Sequence, residues 1–129
     1  MIGPLEVTRG LVMRFDPDRL REAGAAPDRP PDRAVRGPHY FVCVSRCGPW
    51  SVWVPAFSRY LPGRIRVGYK AGNADWVAQP SYVDLEQMWI VPDVALGPGS
   101  AGVDRTQRGN RNMASWSFLL GPAEVDLAG

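Results

Sequence analysis

Three side chains have the type and setting for phosphate chemistry: Arg36 at a loop–strand junction, His39 at the head of a strongly apolar run, and Ser58 at the end of the next run. A guanidinium grips a phosphate with two parallel hydrogen bonds, an imidazole exchanges protons near neutral pH, and a hydroxyl donates one hydrogen bond. Each also has a quieter reading: a solvated charge beside a turn for Arg36, a half-buried structural ring for His39, and a partner for the turn backbone for Ser58. A second set joins Arg59, Arg64 and Arg66 to Tyr60, Trp53 and Tyr69, the mixture of cations and ring faces by which single-stranded nucleic acid is held. Aromatic residues that alternate along strands are mainly core, so this set also keeps two readings. Asp16 reads as the cap of a turn, and Gln87 as a bond to a neighbouring loop.

One histidine, two cysteines and scattered carboxylates offer no recognised ligand spacing, so neither a metal site nor a cofactor is expected. No glycine-rich loop runs into a Lys followed by Ser or Thr, which disfavours nucleotide hydrolysis. Cys43 and Cys47 read as reduced thiols, because a core of this size needs no disulfide. The formal charge of +2 does not by itself imply nucleic acid. Fourteen of the fifteen cations are Arg, with Lys70 the sole lysine, a bias that suits phosphate and also follows from GC-rich coding. No run approaches the roughly twenty apolar residues of a membrane helix, and no secretory signal pattern opens the chain. The expected location is the cytoplasm.

These residues need elements to hold them. A length of 129 residues with 45% hydrophobic content fits a single domain over 1–129. Fourteen Gly and thirteen Pro interrupt the chain too often for long helices and favour short strands. Residues 5–15 read as a first strand, with Val7, Leu11, Met13 and Phe15 on a dry face and Val12 and Arg14 on a wet one. Asp16-Pro17-Asp18 ends it, and residues 17–38 form a mobile loop with room for one short helical turn. Residues 39–45 form a central strand, paired as a hairpin with 50–57, in which Pro55 marks a bulge or a free edge. Residues 64–69 alternate Arg with apolar side chains, residues 76–77 form a short strand, and 81–91 the last convincing one. Residues 97–113 form a flexible Gly/Arg-rich segment with no helix, and 116–120 a closing strand or a surface for another copy. The fold class is mainly β, a small antiparallel barrel.

The order of these segments resembles the PemK/MazF family of toxin-like ribonucleases, built on an SH3-like barrel. The family's Gly-led first strand ending in Asp-Pro corresponds to Gly10-Leu11-Val12-Met13-Arg14-Phe15-Asp16-Pro17. Its Arg-Pro before an apolar strand corresponds to Arg36-Gly37-Pro38, with Gly37 intervening. Its strand ending in Thr or Ser corresponds to Val54-Pro55-Ala56-Phe57-Ser58, and its later Gln segment to Asp84-Leu85-Glu86-Gln87. The resemblance covers about residues 8–92. It implies RNA binding and metal-independent cleavage, for which the residue reading above supplies Arg36, His39 and Ser58 at the reacting phosphate and Arg59, Tyr60, Arg64 and Arg66 as RNA contacts. It also implies a homodimer and a cognate antitoxin as partner. The alternatives left open are a non-catalytic SH3-like module for a protein or peptide, and a structural or mobile-element protein.

Overall fold

Apolar residues on both parities of the same strands force a sheet that is covered on both faces. The computed structural model describes residues 2–30 and 34–115. Its strands and helices are β1 (Val12–Phe15), α1 (Pro17–Glu22), β2 (Ala26–Pro27), β3 (His39–Cys47), β4 (Trp50–Phe57), β5 (Arg64–Arg66), β6 (Tyr69–Ala71), α2 (Ala74–Ala78), β7 (Tyr82–Asp84), β8 (Trp89–Pro92), α3 (Asp93–Ser100) and β9 (Met113–Ser115). Seven strands form one antiparallel sheet, ordered β1-β3-β4-β7-β5 with β8 and then β2 also joined to β4, while β6 and β9 pair separately. The chain is therefore mainly antiparallel β, as expected, but among the described residues the sheet does not close into a barrel.

Strand β3 lies at the centre between β1 and β4, as its aromatic and β-branched content predicts. One face carries Phe15, Phe41, Trp53 and Trp89 against Leu20 of α1 and Leu96 of α3; the other carries Val12, Val42, Val54 and Val83 against Trp76 of α2. Edge-to-face contacts of Phe15 with Phe41 and Trp53, at 5.6 and 5.0 Å, and of Phe41 with Trp89, at 5.8 Å, lock the first core. The predicted dry face of the first strand is buried as read. The predicted wet face is not wet, because Val12 is buried in the second core.

The hairpin of β3 and β4 turns through Gly48 at φ 61°, and its bulge falls at Val44 of β3, between Cys43 and Ser45. Pro55 lies where β4 changes neighbour, since β8 pairs with residues 50–53 and β7 with residues 56–57. Lacking an N–H, Pro55 cannot extend either ladder.

Other boundaries differ from the sequence reading for local reasons. Strand β1 begins at Val12, not residue 5, because Pro4–Glu6 forms a 3-10 turn and Gly10 takes φ 93°. The loop after it carries α1, capped by Asp16, whose carboxylate accepts from Asp18 N at 3.0 Å. Leu20, Ala25 and Val35 from this segment enter the core, which a polar, proline-broken stretch did not promise. Residues 76–77 lie in a helix, because Asn73 accepts from Trp76 N at 3.1 Å and starts α2. The single strand expected over 81–91 is divided into β7 and β8 by a turn in which Asp84 accepts from Glu86 N at 3.0 Å. Residues 97–100 continue α3, so a helix stands where none was expected. The thiols of Cys43 and Cys47 are free. The closing strand expected at 116–120 lies outside the described residues. Among those described, no helix is long and apolar enough to cross a membrane.

Candidate functional site

Where β1, β3 and β4 end together, α2 packs across the second face and leaves a cleft of about 220 Å³. His39 and Ser58, singled out from sequence, both line it, together with Arg14, Tyr40, Asp75 and Trp76. Antiparallel register explains part of this convergence: Arg14 stands directly opposite Tyr40, and Phe15 opposite His39. The α2 wall is held by the turn before it. Gly72 has φ 126°, and Asn73 N donates to Asn112 Oδ1 at 2.8 Å, which fixes the start of the helix that carries Asp75 and Trp76.

Beside the cleft, but outside its lining, runs the segment after α3. The Asp104 carboxylate accepts from Arg14 N at 2.9 Å and from Thr106 N at 3.3 Å, and Val12 N donates to the Asn112 carbonyl at 2.7 Å, which straps this segment along the edge of β1 away from β3. Burial raises the pKa of Asp104, and the backbone donors around it oppose that rise. Arg105, between these anchors, is ion-paired with Asp75. The segment expected to be flexible thus brings a cation to Asp75, on the side of α2 that lines a neighbouring depression.

His39 Nδ1 lies 3.1 Å from the Gly37 carbonyl oxygen. A carbonyl can only accept, so the neutral ring carries its proton on Nδ1 and its lone pair on Nε2. Tyr40 Oη is buried with no partner in hydrogen-bond geometry. Desolvation raises its pKa, with Arg105 and Arg14 opposing and Asp75 assisting, so the phenol stays a neutral donor.

Beside the cleft lies a run of rings and guanidiniums. The His39 ring sits 5.2 Å from that of Phe57, and the Arg64 guanidinium lies 3.7 Å over the same Phe57 ring. Arg64 also donates to the Arg59 carbonyl at 2.9 Å. Tyr60, 59% exposed, meets Tyr82 edge-on at 5.7 Å. Arg59 and Arg66 are exposed, and Arg66 lines a separate depression with Tyr69 and Lys70. Trp53, counted from sequence among possible stacking residues, is fully buried and belongs to the first core. Arg36 is exposed and is not among the cleft-lining residues, although Pro38 beside it is. Gln87 does bond a loop, its Oε1 accepting from Val35 N at 3.2 Å.

Sequence reasoning missed Arg14, Tyr40, Asp75, Trp76 and Arg105. The available signal was Arg14 itself, a charge between Met13 and Phe15 that shares its face with buried Val12. In comparisons with known proteins, no family model matches the chain, and no curated protein or solved structure matches it.

Proposed function

We propose that this chain is a PemK/MazF-like, SH3-like RNA-binding protein that holds a single strand across the rim of its sheet and cleaves it without a metal. The observation that carries this reading is the shared cleft of His39 and Ser58, flanked by exposed Arg59 and Tyr60 and by half-buried Arg64 over the Phe57 ring. Rings accept bases of any sequence, and guanidiniums follow the backbone between them. The RNA supplies its own nucleophile, the 2′-hydroxyl, so the protein must remove one proton, steady the phosphate and let the 5′-oxygen leave protonated. His39 Nε2 has the free lone pair to take the 2′-proton. Ser58 Oγ–H donates to a phosphate oxygen, and the leaving 5′-oxygen takes its proton from solvent water while the His39 imidazolium returns the 2′-proton to solvent. The products are a 2′,3′-cyclic phosphate and a 5′-hydroxyl. A homodimer and a partner antitoxin rest on the family resemblance.

The test is incubation of purified protein with single-stranded RNA in excess chelator, with end-group analysis of the fragments. Cyclic-phosphate ends are expected, with cleavage lowered about a hundredfold or more by His39→Ala and about tenfold by Ser58→Ala. Induced expression should arrest bacterial growth, and Ser58→Ala should relieve it. RNA bound tightly but left intact would favour the non-catalytic module instead.

A further inference from the structure

Two features of the cleft stand out as uncommitted. Among the described residues the Arg14 guanidinium has no ion pair and no hydrogen bond, although it stands on a strand with Val12 buried on the same face. Opposite it across the β1–β3 pair, Tyr40 Oη is buried without a partner in hydrogen-bond geometry, although the Arg105 side chain approaches closely enough to hold its pKa down. An unsatisfied buried hydroxyl costs free energy, and a half-buried cation without a counter-charge adds to that cost. A site that carries both is complementary to something absent from the free protein. The nearby carboxylates are already occupied: Asp75 pairs with Arg105, and Asp104 accepts from backbone amides of Arg14 and Thr106. Asp75 is balanced by Arg105, so among the residues that line the cleft Arg14 is the cation left without a counter-ion, and Tyr40 beside it is a neutral donor.

The geometry points to Arg14 and Tyr40 as a clamp for one internucleotide phosphodiester of single-stranded RNA. Arg14 offers two parallel N–H donors to the non-bridging oxygens, and Tyr40 offers an O–H donor from the adjacent strand. The Tyr40 and Trp76 rings, 5.1 Å apart, form an aromatic wall beside it. This assigns the phosphate-gripping role to β1 instead of the exposed Arg36. It rests on the RNA-binding reading, and the experiment keeps the two apart.

Anisotropy with a short single-stranded oligoribonucleotide is measured over a range of salt for the wild type, Arg14→Gln, Arg14→Lys, Tyr40→Phe and Tyr60→Ala. Arg14→Gln should weaken binding about tenfold and make the log–log salt slope shallower by about 0.7, the share of one phosphate contact on a single strand. Arg14→Lys should restore the slope but not the full affinity, because it keeps the charge and loses the fork. Tyr40→Phe should weaken binding about fivefold with the slope unchanged. Its Tm should be equal to or above that of the wild type, since the orphan hydroxyl is gone; a merely structural tyrosine would lower it.

Tyr60→Ala weakening RNA binding while both Arg14 variants and Tyr40→Phe bind as wild type would overturn the clamp and leave the RNA reading standing. If the wild type binds no RNA, that reading falls. Inorganic phosphate then decides: a rise in Tm over equal ionic strength of chloride, lost in Arg14→Gln, sustains an anion seat, and the same rise in both proteins overturns it.

Discussion

Lys70 shows how one side chain ties stability to pH. Its Nζ lies 3.9 Å over the Trp76 ring and donates to the Gln79 carbonyl and to Ser81 Oγ, behind the α2 wall of the cleft. These contacts favour the ammonium, yet loss of hydration outweighs them and pushes the amine down to about 8. An unfolded lysine titrates near 10.4, so from about pH 8 to 10 the unfolded chain holds more protons than the folded one. Stability therefore gains from Lys70 as pH rises through that window, and below it the folded protein bears the whole cost of the buried charge. Urea midpoints at pH 8, 9 and 10 should show an upward contribution in the wild type that Lys70→Met lacks; parallel profiles would refute it. Residues of this kind are poorly legible in sequence. His39 and Ser58 were visible by type and by their positions at strand ends. Arg14 was not, because alternation alone cannot tell a solvent-facing arginine from one that a later helix turns into the wall of a cleft.

Helix α3 is held by a contact that only glycine permits. A Cβ on Gly99 would stand 2.4 Å from Leu20 Cδ2 and 3.3 Å from Phe15 Cδ1, and Leu20 is itself fully buried. Gly99 also accepts at its carbonyl from Asp16 N at 2.8 Å, which joins the start of α1 to the end of α3. Helix propensity alone would make Gly99→Ala stabilising by up to about 1 kcal/mol. Overpacking of a rigid neighbour costs about 1–3 kcal/mol, so the net effect should be a loss, measured as a lower urea midpoint at unchanged slope. Adding Leu20→Ala should make the two effects strongly non-additive, since the truncated side chain removes the clash. A midpoint raised by Gly99→Ala would mean that α1 and α3 do not pack this way. The same glycine explains why the end of α3, residues 97–100, reads as part of a flexible segment. Gly97-Pro98-Gly99 carries every local sign of a break, and the helix exists because tertiary packing against α1 outweighs those signs. The hairpin of β3 and β4 was legible for the opposite reason, its propensity, alternation and turn all agreeing with its place in the sheet.

At the scale of the whole chain, the sheet is a partition with a core on each side, and β3 and β4 belong to both. Phe41 and Trp53 project into the first core, Val42 and Val54 into the second, so neither side can lose its strands without exposing the other. One cooperative transition follows, in spite of two separate apolar clusters. Phe41→Ala deletes the ring that touches Phe15 and Trp89 and should remove about 3–5 kcal/mol of stability from the first core. Trp76 lies in the second core, with its Nε1–H donated to the Met113 carbonyl at 2.9 Å, and its indole NMR signal reports on that side alone. With urea, the loss of this signal should coincide with the loss of far-ultraviolet circular dichroism, and Phe41→Ala should shift both midpoints equally. A Trp76 transition that stayed in place while the circular dichroism midpoint moved would show that the faces unfold separately. Coincidence has a consequence for the cleft. Its walls come from β1, β3, β4 and α2, all fastened to the shared sheet, so the spacing of Arg14, Tyr40, His39 and Ser58 should persist until global unfolding.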